Sequence, residues 1–195
     1  MFKIKNRLFF ILAFLMSFVV VVSNYVVQFP VNYFGLKDVL TYGAFSYPIA
    51  FLITDLANRR YGKKIAKKIV YLGFAVGIFL TFCFSTNYSD FISIRIAIGS
   101  GSAFLVAQLI DVKIFDKLRR EKWFVAPFAS SLIGSIIDTF LFFSISFYGT
   151  NVNWFTLSLG DLFVKILFVL LLLIPFRILL SHIKEISVSV KKISV

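Results

Sequence analysis

Apolar positions along this chain gather into six long runs separated by short polar links. Crossing roughly 30 Å of hydrocarbon takes about 20 apolar residues in a helix. The runs at 8–29, 39–58, 65–86, 91–115, 123–148 and 154–180 each meet that length, and they predict six transmembrane helices. The links carry turn formers and charge: Pro30, Gly35 and Lys37; a run of cations from Arg59 to Lys68 interrupted by Gly62; Asn87 to Asp90; Asp116 to Lys122; and Gly149 to Asn153. No link is long enough to hold a soluble domain. The expectation is a single all-α transmembrane domain over residues 1–195, closed by a polar tail with His182, Lys184, Lys191 and Lys192.

Composition fixes the solvent. With 59% hydrophobic residues, 26 Phe and a mean hydropathy of +0.92, the chain could not hide its apolar surface from water as a soluble domain. The N-terminal stretch from Met1 to Val27 has the charged start and apolar run of a signal peptide. It lacks a small-residue cleavage site and runs too long, so it reads as an uncleaved first span.

Charge then orients the chain. Lys and Arg near membrane segments stay on the cytoplasmic side during insertion. Lys3, Lys5 and Arg7, the six cations from Arg59 to Lys68, the five from Lys113 to Lys122, and Arg177, Lys184, Lys191 and Lys192 all fall on one side of the six spans. Only Lys37 falls on the other, while Arg95 and Lys165 lie within spans. This alternation predicts that both termini are cytoplasmic. The net charge of +12 is accounted for by loops facing anionic lipid rather than by nucleic acid.

Several chemistries are excluded. Nothing matches G-x-x-x-x-G-K-[ST], so any ATPase would be another chain. No H-E-x-x-H or comparable cluster offers metal ligands, and one histidine cannot make one. Cys83 has no partner and reads as a small core residue. The Asn87-Tyr-Ser tripeptide matches a glycosylation acceptor but is too short and too near the membrane to matter. With no nucleophile–base pair, an enzyme is not expected.

What remains is charge inside the membrane. Among nine acids, Asp55, Asp111, Asp138 and Asp161 lie within or at the ends of spans. A carboxylate there costs several kcal/mol unless it faces protein or water, so its default reading is functional. Gln108, Asp111 and Phe115 repeat the spacing of Ser135, Asp138 and Phe142: a polar residue three before the acid and a Phe four after. Helical geometry places each trio on one face. Asp55 and Asp111, near helix ends, have the alternative of pairing with Arg59 or Lys113; Asp138, about fifteen residues into its run, reaches neither water nor headgroups. Asp161 and Lys165, four apart, form either a self-neutralising pair or part of a substrate site. Arg95 reads as an interfacial anchor or an entrance cation. Small residues at Gly99–Ala103, Ala107 and Ser130–Ser135 predict close packing of the fourth and fifth spans.

These segments resemble a known family. Thr54-Asp55 followed by Gly62 and cations, Gln108-x-x-Asp111-x-x-x-Phe115, and Ser135-x-x-Asp138-Thr-x-x-Phe142 are similar to three motifs, in order, of the VUT family of queuosine precursor transporters. Asn58 or Arg59 stands where members often carry Glu. The resemblance implies a multi-pass protein of the bacterial cell inner membrane. It would import 7-deazaguanine bases, chiefly 7-cyano-7-deazaguanine and its aminomethyl relative, for tRNA modification. The six-span plan is also similar to the vitamin-binding components of ECF transporters. A 7-deazaguanine presents an N1–H and an exocyclic amine side by side, which a carboxylate accepts in a two-pronged bond while Gln108 or Ser135 meets the carbonyl. Phe115 and Phe142 can stack on the ring. Asp138 is the first choice for base recognition, with Asp111 and Asp55 as alternatives and Asn58, Asp161 and Lys165 as further candidates. No cofactor is expected. The importer works alone or as a homo-oligomer; the competing reading is a binding component that needs an ATPase partner.

Overall fold

The computed structural model describes residues 2–37 and 39–181; the polar tail with His182, Lys184, Lys191 and Lys192 lies outside them. Six α-helices follow one another: α1 (Phe2–Val26), α2 (Gly43–Tyr61), α3 (Lys63–Leu80), α4 (Phe91–Leu118), α5 (Val125–Phe147) and α6 (Trp154–Leu180). A π-helical turn, Thr81–Ser85, prolongs α3. The described residues contain no strand, only an isolated antiparallel bridge between Pro30 and Thr41.

Five of the helices are long and apolar enough to cross a membrane. The exception is α2, which carries Thr54, Asp55, Asn58, Arg59 and Arg60 in its 19 residues. Its place in the bundle explains the departure, because α2 packs against all five other helices. Those neighbours bury most of α2 and leave only an apolar edge at Phe45 and Ile49 facing outward, so the polar groups of Thr54, Asp55 and Asn58 can be satisfied from within. The opposite case is α6, the most apolar of the five, which keeps a broad face exposed through Phe163, Leu167, Leu171 and Ile174.

Small residues set the close approaches. The most extensive pairing is α4 with α5, where Gly99 lies against Ser146 and the Phe142 backbone. The rest of that small-residue stripe is shared out: Gly101 faces Ile78 of α3, and Gly134 receives the Phe51 ring of α2. On the other side of the bundle, Gly73 and Gly77 of α3 meet Met16 and Val20 of α1.

The helix ends are built locally. Asp90 accepts the Ile92 amide at 3.0 Å as the cap of α4, and Asn153 does the same for Thr156 of α6 at 3.3 Å. Gly62, with φ of 82°, takes the left-handed turn that separates α2 from α3. Arg95 donates to the carbonyls of Ile145 at 2.7 Å and Tyr148 at 2.8 Å, closing the C-terminus of α5 as an anchor. One expectation fails: Cys83, read as a core residue, sits exposed on the π-helical turn. An apolar run in a span does not by itself say which side faces lipid.

Candidate functional site

Two separate polar clusters lie inside the bundle. The first joins α2, α4 and α5. Asp55 accepts the hydroxyls of Ser130 and Ser131, each at 3.1 Å. Thr54, one position earlier, donates to the side-chain oxygen of Gln108. Asp111, one turn along α4 from Gln108, is fully buried, and neither of its carboxylate oxygens has a hydrogen-bond partner. The Ser130 hydroxyl, which donates to Asp55, also stands near Asp111, and the charge of Asp111 acts on Asp55. Ser135 on α5 is likewise buried with its hydroxyl unpartnered. Among the described residues no ion pair joins Asp111 to Lys113, while the charge of Arg59 acts on Asp55.

The second cluster joins α5 and α6. Lys165, 1% exposed, donates to Asp138 at 2.8 Å and to Thr139 at 3.0 Å, and pairs with Asp161 at 2.6 Å. All three ammonium protons are thereby used. Thr139 in turn donates to Asp161 at 2.7 Å. The i, i+4 pair expected from sequence is present, and Asp138 joins it from the neighbouring helix. The Lys165 ammonium also lies 5.3 Å from the centre of the Tyr47 ring. Tyr47 donates to Asn24 on α1, and Asn24 donates to Thr81 of the π-helical turn at 2.8 Å. A continuous polar path therefore runs from α6 through α2 to α1 and the end of α3.

At the end of the bundle where the cations gather, Asn58 is fully engaged. Its amide donates to the Val112 carbonyl at 2.9 Å, while its side-chain oxygen accepts from Arg119 at 3.0 Å. Arg59 donates to the Arg119 carbonyl at 3.0 Å and lies 5.4 Å from the Phe115 ring centre. Phe115 is buried edge-to-face against Phe176, and Phe142 packs with Phe143 and Phe147. Each sequence trio does turn its polar residue, acid and Phe inward.

Sequence reasoning passed over Asn24, Tyr47 and Thr81, met Thr139 only as a motif position, and favoured packing for Ser130 and Ser131. A signal existed for Asn24, a lone amide in the run Val19–Val27. None existed for Tyr47, whose role depends on a lysine 118 positions away.

Cavities are unevenly placed. Only about 10 Å³ lies open against Asp55 and Ser131, the room of a single water. An apolar groove of about 390 Å³ between α1 and α3 is walled by Phe10, Phe14, Phe18 and Leu72. A larger hollow, about 610 Å³, sits at the opposite end from the cation-rich links, where α1 and α5 end and α4 and α6 begin. The described residues hold no group of His, Cys, Asp or Glu arranged to bind a metal.

Comparison with known proteins gives the family. The family described as "Putative vitamin uptake transporter" matches residues 41–180, which include both clusters. A "Probable queuosine precursor transporter" of Haemophilus influenzae is 33% identical, over 88% of this chain and 85% of its own length. The "Queuosine precursor transporter" of Escherichia coli is 32% identical, over 80% of this chain and 79% of its own. A "Probable queuosine precursor transporter" of Bacillus subtilis is 30% identical over 68% of this chain. No solved structure matches. The apolar helices, the family match and these relatives together establish that the chain belongs to the vitamin uptake transporter family, as a multi-pass bacterial membrane transporter and not an enzyme.

Proposed function

We propose that this protein imports a queuosine precursor, a 7-deazaguanine base bearing a cyano or aminomethyl group, across the bacterial inner membrane. The names of the similar proteins support the substrate class. The distribution of Lys and Arg supports an orientation with both termini cytoplasmic, so the 610 Å³ hollow faces outward.

The observation that carries the site is Asp111. It is a fully buried carboxylate with both oxygens unpartnered, one turn from Gln108 and one turn from Phe115. An unpaired carboxylate in such surroundings is costly, and two adjacent N–H donors from a guanine-type edge relieve that cost. Ser135, buried and unpartnered on the facing helix, is suited to the base carbonyl. Asp138, Asp161 and Asp55 already have donors of their own, which makes Asp111 the favoured acceptor among the acids. With only about 10 Å³ open beside Asp55, loading requires the helices around α2 to part and close again. Pro48 in α2 and Pro175 in α6 leave backbone carbonyls without their helical donors, which suits such movement.

The test uses cells that cannot make the precursor and are supplied with it. Wild-type protein restores queuosine in tRNA. Asp111→Asn reaches the membrane at a normal level and restores none; normal modification in that variant overturns the site assignment.

A further inference from the structure

We propose that the outward hollow is a reception site of its own, which binds the neutral heterocyclic base before it reaches the buried carboxylates; this rests on the importer reading above. Four observations bear on it. First, its volume of about 610 Å³ is within the range of small-ligand sites, whereas the space beside Asp55 is about 10 Å³. Second, the lining mixes donors and acceptors in the manner a base edge requires. It includes the carboxylate of Asp90 and the amides of Asn151 and Asn153. Third, among the described residues the charged groups of the wall are Asp90 and Lys37, of opposite sign, a balance that suits a neutral ligand more than a phosphate or a nucleotide. Fourth, Thr41 lines the wall, is 6% exposed, and its hydroxyl has no hydrogen-bond partner. A buried hydroxyl left unpaired beside a cavity is a group prepared for a ligand contact.

Asp90 is the recognition residue this geometry singles out. One of its oxygens caps α4 through Ile92, and the second can accept an N–H from a base entering the hollow. The hollow thus selects the ring system at the mouth, and Asp111 selects it again within the bundle.

The experiment has two arms. In precursor-deficient cells, queuosine in tRNA is measured against added 7-cyano-7-deazaguanine. Asp90→Asn keeps the cap of α4, since an amide oxygen serves there as well as a carboxylate. It should raise the half-saturating concentration about fivefold to tenfold while high precursor still restores modification. An unshifted half-saturation overturns the reception site. Failure of the wild type to restore modification overturns the importer reading instead.

In the second arm, Asn151→Cys is placed in a Cys83→Ser background and labelled from outside the cell with a membrane-impermeant maleimide. The same base should slow labelling several-fold, and should still do so when Asp111→Asn is added, because reception precedes deep binding. Absence of labelling, absence of protection, or protection that vanishes with Asp111→Asn each overturns the proposal.

Discussion

Lys165 and Asp138 stand 27 positions apart on different helices and are joined by a buried hydrogen-bonded ion pair of 2.8 Å. Asp161 closes the group from the same helix as the lysine at 2.6 Å, so two carboxylates share one ammonium. Removing the lysine strands both acids. Breaking a buried pair in this way costs about 3–5 kcal/mol, because uncompensated charge stays inside. Lys165→Met should therefore lower thermal stability in detergent steeply. Adding Asp138→Asn and Asp161→Asn to it should restore most of the loss, since a neutral, well-packed group needs no cation. A single variant as stable as the wild type would remove the claim that this triad ties α5 to α6.

Asn58 gives a second test of the same kind. Its amide links α2 to the Val112 carbonyl of α4, and its oxygen holds Arg119. Asn58→Ala deletes both bonds and leaves a buried carbonyl and a guanidinium group short of a partner. A cost of about 1–3 kcal/mol follows from the desolvation of such groups. Chemical or thermal unfolding of the purified protein measures it. A loss below about 0.5 kcal/mol would show that the contact is solvent-compensated.

How far the sequence reached depends on whether the signal was local. Six helices and their inward trios follow from hydropathy and from three- and four-residue spacings, which any helix expresses along its own length. The pair of Asp161 and Lys165 is legible for the same reason. That Asp138 belongs with them is not, because nothing within its own helix marks the lysine of the next. The sequence likewise ranks Asp138 above Asp111 by depth alone; partnering depends on which helix lies opposite. Hydropathy also treats α2 as one span among six, although its low apolarity is the mark of its central place. Cys83 shows the reverse failure, an apolar stretch whose outward side no local rule identifies.

Gly160 offers a test of the outer wall. A Cβ at this position would run into the backbone carbonyl of Val39, in the link that also carries Lys37 and Thr41. Backbone cannot step aside as a flexible side chain does, so Gly160→Ala must push α6 away from that link. Overpacking of this sort costs about 1–3 kcal/mol. The melting temperature in detergent should fall accordingly, whereas Gly149→Ala, with open space around its Cβ, should cost only the strain of its positive φ. Equal stability of Gly160→Ala and the wild type would mean that α6 and the link are not in the contact described.

The energy source separates two kinds of transporter. Nothing in the chain matches a phosphate-binding P-loop. A binding component of an energy-coupled complex would hold its ligand tightly and release it only when an ATPase partner forces the helices apart. An autonomous carrier must instead open to either side through thermal motion, which binding of modest strength permits. The site proposed above fits the second case, because a base that Asp111 held by one two-pronged contact would leave again without external work. Purified protein in liposomes should then take up labelled 7-cyano-7-deazaguanine without ATP and several-fold above protein-free liposomes, and Asp111→Asn should reduce uptake to the protein-free level. If uptake by the wild type appears only after an ATPase complex and ATP are supplied, the autonomous carrier is wrong and the binding-component reading takes its place.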